Sequence, residues 1–167
     1  MGCDIHAVIE FEKWDLYWGY AEVSLPRDPR QFSAIAFGEG GITDDLPYPP
    51  RGLPFDHSLR VSLLFFVGAD ELKDLANRFG EEFNPEEAAK SWGDWALTKY
   101  RECGALPGPD FHTPSWLSLP ELKHAVMVAD LDISNQSPEF RATVCAMESL
   151  SDAYGADKTR LVFWFDG

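Results

Sequence analysis

The strongest strand signals of the chain lie near its two ends, which limits the folds that it can adopt. Apolar and polar residues alternate through 2–12, and Leu16–Val23 is rich in tyrosine and tryptophan, so both segments are predicted strands. Thr159–Asp166 is a third, because apolar β-forming and aromatic residues dominate it. With helices between them, these strands predict an α+β fold: a small, mostly antiparallel sheet formed by the N- and C-terminal strands and covered by several helices.

The middle of the chain has the helical pattern that such a fold needs. Helices are predicted over 28–37, Ala69–Phe79, Pro85–Cys103, 119–129 and 138–154, and all but Ala69–Phe79 begin with a capping residue or a proline. Val61–Val67 is either a short buried strand or the start of a helix, because periodicity does not distinguish the two. The stretches 38–56 and 105–114 are rich in glycine and proline and are predicted loops, where sites tend to be built.

Length and composition favour one domain. Of the 167 residues, 45% are hydrophobic and 14% aromatic, which is enough to form a core and too many for a disordered chain. No apolar run approaches the roughly 20 residues that cross a bilayer, and the start matches neither a secretory signal nor a myristoylation site. The cysteines, Cys3, Cys103 and Cys145, form no disulfide or zinc pattern. We therefore expect a cytoplasmic protein with no membrane partner.

The charge of the chain is strongly negative. Twenty-eight acidic residues stand against fourteen basic ones, for a net charge of −14. Such a surface repels a phosphate backbone, and no basic cluster is visible, so direct binding of nucleic acid is not expected. The charge serves solubility alone, or it docks the protein on a basic partner.

Five segments carry a family resemblance when taken together. They are Met1-Gly-Cys-Asp-Ile-His6, the short helix 32–37, Arg51-Gly-Leu-Pro54 with Asp56 and Ser58, His112-x-x-Ser-Trp-Leu117 with Leu119 and Glu121-Leu122, and Arg160–Asp166. The set resembles a family of small, functionally uncharacterised proteins of tailed phages and bacteria that begin with this hexapeptide. The resemblance implies a phage-type accessory protein in a bacterial host cell, without a particular chemistry. It also marks 62–109 as longer than the usual spacing, so we expect a family-variable insertion there, within a single domain of residues 1–167.

Asp4 and His6 are the candidate reactive pair. Two residues apart on a strand, they project from the same face. A carboxylate beside an imidazole can ligate a divalent metal, or the imidazole can act as a general base that the carboxylate orients. The alternative is a structural histidine that is simply hydrogen-bonded to Asp4.

Loop residues are the candidates for ligand binding. The Arg51 guanidinium has the shape that recognises phosphate or carboxylate, although it could instead pin the loop to a buried acid such as Asp4. Asp56 is a second candidate. His112, Ser115 and Trp116 precede a helix N-terminus, where backbone N–H groups favour an anion, although ordinary capping by a serine explains the same pattern.

Two functions follow from these residues. In the first, Asp4 and His6 form the catalytic or metal-binding pair of a pocket for a small phosphorylated or nucleotide-like ligand. The ligand would be held by Arg51, Asp56, His112, Ser115 and Trp116, and hydrolysed if a divalent metal is bound. The alternative is a non-catalytic acidic inhibitor of a basic host defence or nucleic-acid-binding protein. Its candidate contacts are the surface acids Glu81, Glu82, Glu86 and Glu87.

Overall fold

A computed structural model describes residues 4–26, 47–80 and 82–166. The predicted helix over 28–37 lies outside these ranges, as do Cys3 and Glu81. The chain divides into two compact units, Met1–Val61 with Asp110–Gly167, and Ser62–Pro109. The second unit spans the segment in which we expect a family-variable insertion, and its variability stays a prediction.

The first unit contains the sheet that the sequence predicts. Its strands are β1 (Asp4–Lys13), β2 (Leu16–Leu25), β5 (Phe111–Ser118) and β6 (Thr159–Asp166). They lie in the order β2-β1-β6-β5, and every neighbouring pair is antiparallel. The N- and C-terminal strands are therefore adjacent at the centre of the sheet, which confirms the α+β prediction.

Two helices cover one face of this sheet. They are α5 (Leu119–Val128) and α6 (Pro138–Tyr154), begun by the side-chain caps of Ser118 and Ser137. Alternate residues of the central strands, such as Ile5, Ile9 and Phe163, are buried against the apolar faces of these helices. The apolar side chains that alternate along the strands thus pack against those on the apolar faces of the helices in 119–154, and together they form one core.

The opposite face carries the polar residues. The antiparallel register of β1 and β6 pairs residues across it: Asp4 with Asp166, His6 with Trp164, Val8 with Val162, and Glu10 with Arg160. Asp56 and Ser58 contact this face at the Glu10 end: Asp56 accepts from Arg160, and the Ser58 N–H donates to the Glu10 carboxylate at 2.6 Å. Close approach of the chain needs a glycine at position 19, because a Cβ there would lie 2.6 Å from the Cβ of Arg60.

The second unit is mostly helical. The helix α1 (Leu59–Phe65) leads into it, followed by β3 (Phe66–Gly68), α2 (Ala69–Phe79), α3 (Pro85–Ser91), α4 (Asp94–Cys103) and β4 (Ala105–Pro107). The strands β3 and β4 form a separate antiparallel pair. The helix that begins at Leu59 settles the ambiguity of Val61–Val67: most of that segment is helical, and only its end is strand.

Two predictions of local structure were wrong. The predicted helix Pro85–Cys103 is interrupted at Gly93, whose φ of +100° is a conformation that favours glycine. The predicted loop 105–114 instead contains β4 and the start of β5. Proline is tolerated in β5 because the pairing of this edge strand shifts between His112 and Ser115, where Pro114 has no N–H to contribute.

Candidate functional site

His6 is held by a carboxylate from the other end of the chain. Its Nε2 lies 2.9 Å from Oδ2 of Asp166, the last residue of β6. A carboxylate only accepts hydrogen bonds, so Nε2 carries the proton and Nδ1 of the neutral ring is left with its lone pair. No hydrogen bond joins Nδ1 to a residue in the ranges that the structure describes. The pair is thus a histidine–aspartate dyad with one nitrogen open for proton transfer.

Aromatic rings fix the plane of this imidazole. The His6 ring is stacked on Trp164, with centroids 5.8 Å apart and planes 13° from parallel, and it lies 5.4 Å from the Phe111 ring. Trp164 is almost fully buried, whereas the side chains of His6 and Asp166 keep 35% and 33% of their surface exposed. The dyad is therefore rigid on one side and open to solvent on the other.

Asp4 belongs to the same site. The register places it directly opposite Asp166, on the face that His6 occupies, and its backbone N–H donates to Asp166 Oδ1 at 3.0 Å. The two oxygens of Asp166 thus bind the backbone of Asp4 and the ring of His6. The sequence-based alternative paired His6 with Asp4, whereas the hydrogen-bond partner in the structure is Asp166.

Arg51, Ser115 and Trp116 form a second group. The Ser115 hydroxyl accepts from the Arg51 backbone N–H at 3.2 Å, and the Arg51 guanidinium lies 4.7 Å from the Trp116 ring centroid. The same guanidinium donates to both carboxylate oxygens of Glu121, at 2.7 and 3.2 Å. The fork that we considered for phosphate thus holds Glu121, and the structural alternative for Arg51 is realised with this acid rather than with Asp4.

Asp56 belongs to a third group, a charge network in which Glu10 and Arg160 are buried and Asp56 is exposed. Its carboxylate accepts from Arg160 Nη1 at 2.8 Å, and Arg160 Nε donates to Glu10 at 2.7 Å. Glu10 is fully buried and Arg160 is 5% exposed. The guanidinium carbon of Arg160 also lies 3.4 Å from the Tyr17 ring centroid. Two acids and one arginine therefore anchor residues 56–58 to the sheet.

His112 lies apart from these groups. It pairs in register with Phe165, and its ring stacks on Phe165 at 5.7 Å, whereas the neighbouring Phe111 pairs with Asp166. Because alternate strand residues point to opposite faces, His112 and His6 lie on opposite faces of the sheet. The seven candidate residues are thus distributed over separate groups. One of them, His6, belongs to the dyad, and Asp4 lies beside it.

Sequence reasoning missed Asp166, Glu10 and Arg160. Asp166 and Arg160 bound the terminal segment that carries the family resemblance, but nothing in the sequence pairs them with positions about 150 residues away. The signal that could have found them is the strand pattern itself: if the two terminal strands pair, the charges along them must face one another.

The described residues contain no group of three or more His, Cys, Asp or Glu side chains arranged to hold a metal. None of the helices described in the structure is long and apolar enough to cross a membrane.

Comparison with known proteins does not assign the chain to a family. No protein-family model matches it, and neither a curated protein nor a solved structure is similar to it at a significant level. The resemblance to the phage and bacterial family stays an expectation.

The Glu121 carboxylate makes a pH-dependent contribution to stability. Burial raises the pKa of this carboxyl group. Hydrogen bonds from Arg51 and Ser118 lower it by a larger amount, so the pKa lies below the ordinary value of 4.5. A group with a lowered pKa stabilises the folded state when the pH is above its ordinary pKa. This stabilisation is lost as the pH falls through the lowered pKa. We expect Glu121→Gln to reduce the free energy of unfolding by about 1–2 kcal/mol near pH 7, measured by urea denaturation.

The loss should shrink in acid, where wild-type Glu121 is protonated as well. Glu148→Gln is the matched control, because Glu148 forms an exposed ion pair with Lys123 and contributes little. Parallel acid profiles for the wild type and Glu121→Gln would contradict this role of Glu121.

Proposed function

We propose that the protein binds a small phosphorylated or nucleotide-like ligand at Asp4, His6 and Asp166, and that His6 acts on it as a general base. The observation that supports this proposal is the dyad: a half-exposed imidazole held through Nε2 by a carboxylate, with Nδ1 open. Carboxylates orient catalytic histidines in this way and stabilise the imidazolium that forms on proton transfer.

The charge of the site determines how such a ligand would bind. Asp4 and Asp166 are acidic, and His6 is the only basic side chain among the three, so a bare phosphate would be repelled. Magnesium, however, binds to proteins through one or two carboxylates together with the phosphates of the substrate. The proposed ligand therefore arrives as its magnesium complex, with Asp4 as the metal contact.

Hydrolysis is the reaction that this arrangement favours. A water molecule attacks phosphorus as His6 Nδ1 takes its proton, and the bond from phosphorus to the leaving oxygen breaks. Asp166 stabilises the imidazolium through the Nε2 hydrogen bond. A phage-type accessory protein acting on a small phosphorylated compound in a bacterial cell is the setting that we propose on the family resemblance.

Binding can be tested by calorimetry with nucleoside mono-, di- and triphosphates, each with and without magnesium. At least one should bind only with magnesium, and Asp4→Asn should weaken its binding about tenfold or more while unfolding at the wild-type temperature. Asp152→Asn, which removes an exposed carboxylate of α6, should bind normally. Binding of no compound, or equal binding by Asp4→Asn, would contradict the proposal.

The net charge of −14 favours a second candidate function, a non-catalytic acidic inhibitor of a basic protein. Among the acids considered for it, Glu86 is already paired with Lys90 and Arg101, whereas Glu82 and Glu87 are exposed. In this case binding of a basic probe such as polylysine should fall steeply with salt and be indifferent to Asp4 and His6. Binding that does not change with salt would contradict it.

A further inference from the structure

The strand β2 lies at the edge of the sheet that the structure describes. Its ten residues, Leu-Tyr-Trp-Gly-Tyr-Ala-Glu-Val-Ser-Leu, include no lysine, arginine or proline and a single charge, Glu22. Natural edge strands are normally protected by lysine, proline or short length, because their unpaired N–H and C=O groups can pair with another chain. By composition and length, β2 lacks these protections.

Large apolar side chains are exposed along the same strand. Leu16 is 62% exposed, Trp18 47% and Tyr20 55%. Exposed aromatic residues are enriched where one protein contacts another. The edge thus offers both backbone groups and side chains to a partner.

A groove lies beside this edge, on the helix-covered face of the sheet. It has a volume of about 400 Å³ between β1, β2 and α6. Its lining residues are mostly small and apolar: Ile9, Ala21, Val23, Ser24, Glu139, Ala142, Thr143 and Ala146. Because three of them belong to β2, an apolar side chain projecting from a strand paired with β2 would reach the groove.

The charged residues around this edge indicate which kind of partner would bind there. Glu139 lines the groove, Glu22 is exposed on the opposite face of β2, and no lysine or arginine is among the groove residues. A second copy of this chain would bring a further net charge of −14 to this acidic edge, whereas a basic segment would complement it.

We propose that β2 accepts an extended segment of a basic partner protein as an added antiparallel strand. An apolar side chain of the segment fills the α6–β2 groove, and the lysine or arginine residues on the other face of the segment meet Glu22. This inference rests on the second candidate function and names its contact surface. It is separate from the His6 site, so the two can be tested independently.

The probe is a fluorescent dodecapeptide of alternating valine and lysine, followed by fluorescence anisotropy. Ala142→Trp fills the groove from α6, and Ala153→Trp places the same side chain at an exposed position of the same helix outside it. Glu22→Lys reverses the edge charge, and Glu102→Lys makes the same change on α4 of the second unit. A peptide with alternate amides methylated cannot complete the strand pairing.

We expect Ala142→Trp, Glu22→Lys and peptide methylation each to weaken binding about tenfold or more. Ala153→Trp, Glu102→Lys and His6→Gln should bind as the wild type does. Equal weakening by both lysine variants and none by Ala142→Trp would overturn the edge site and leave only a general acidic surface. A dimer in sedimentation experiments that Ala142→Trp abolishes would overturn the basic partner in favour of a second copy.

Discussion

Replacing Arg160 by methionine is expected to lower the free energy of unfolding by about 3–5 kcal/mol. The cause is Glu10, which is fully buried and accepts hydrogen bonds from Arg160 Nε and the Ser58 N–H. Without the guanidinium its charge is buried beside a single backbone donor, and Asp56 loses its link to the sheet.

The double variant Arg160→Met with Glu10→Gln should recover part of this loss, because the buried charge is then absent and an amide oxygen can still accept from Ser58. Arg51→Met is the matched control: the Arg51 and Glu121 side chains of its ion pair are 26% and 24% exposed, and the loss of this pair should cost about 1 kcal/mol. Amide hydrogen exchange in β1 and β6 reports the first unit alone. Wild-type protection in Arg160→Met, or no recovery in the double variant, would contradict this account of the network.

Turnover should depend on the dyad far more than binding does. His6→Gln is expected to reduce hydrolysis of p-nitrophenyl phosphate with magnesium by about 10²- to 10⁴-fold, because the group that takes the proton is absent. Asp166→Asn should lower kcat more than it raises KM, since an amide can donate to the ring and favour the wrong tautomer.

His124→Gln is the control for these substitutions, because His124 is exposed on α5 and hydrogen-bonded to Tyr48. It should retain wild-type rates. Hydrolysis at wild-type rates by His6→Gln, or no hydrolysis of this substrate or any nucleotide by the wild type, would contradict a catalytic role for the dyad.

The elements of the fold were largely predictable where a local rule applies. The bounds of β6 agree with the prediction, as do those of α2, because a continuous apolar β-forming run and a helical period with a following glycine are unambiguous. Errors arose where one residue outweighs its neighbours. The apolar periodicity predicted one helix through Gly93, whereas the structure has two helices on either side of it. The proline and glycine content of 105–114 predicted a loop, whereas a bulge allows Pro114 to lie within β5.

The site was predictable only in part, for a different reason. The shared face of Asp4 and His6 follows from strand geometry, and the structure has both on that face. The partner of His6 depends on which strand lies beside β1 and in which register, and a shift of one residue would have turned Asp166 to the other face. The same holds for Glu10 with Arg160 and for Arg51 with Glu121, whose partners are distant in sequence.

Asp166 holds His6 through a proton on Nε2, and we propose that this leaves Nδ1 free to react. Long-range ¹H–¹⁵N NMR of the histidine rings tests it directly. Where the His6 ring is neutral, we expect a proton on Nε2 and none on Nδ1, a preference that Asp166→Asn removes. The Nδ1 resonance should move when a magnesium nucleotide is added. A proton on Nδ1 of the neutral ring, or a His6 spectrum that neither the substitution nor any nucleotide changes, would contradict it.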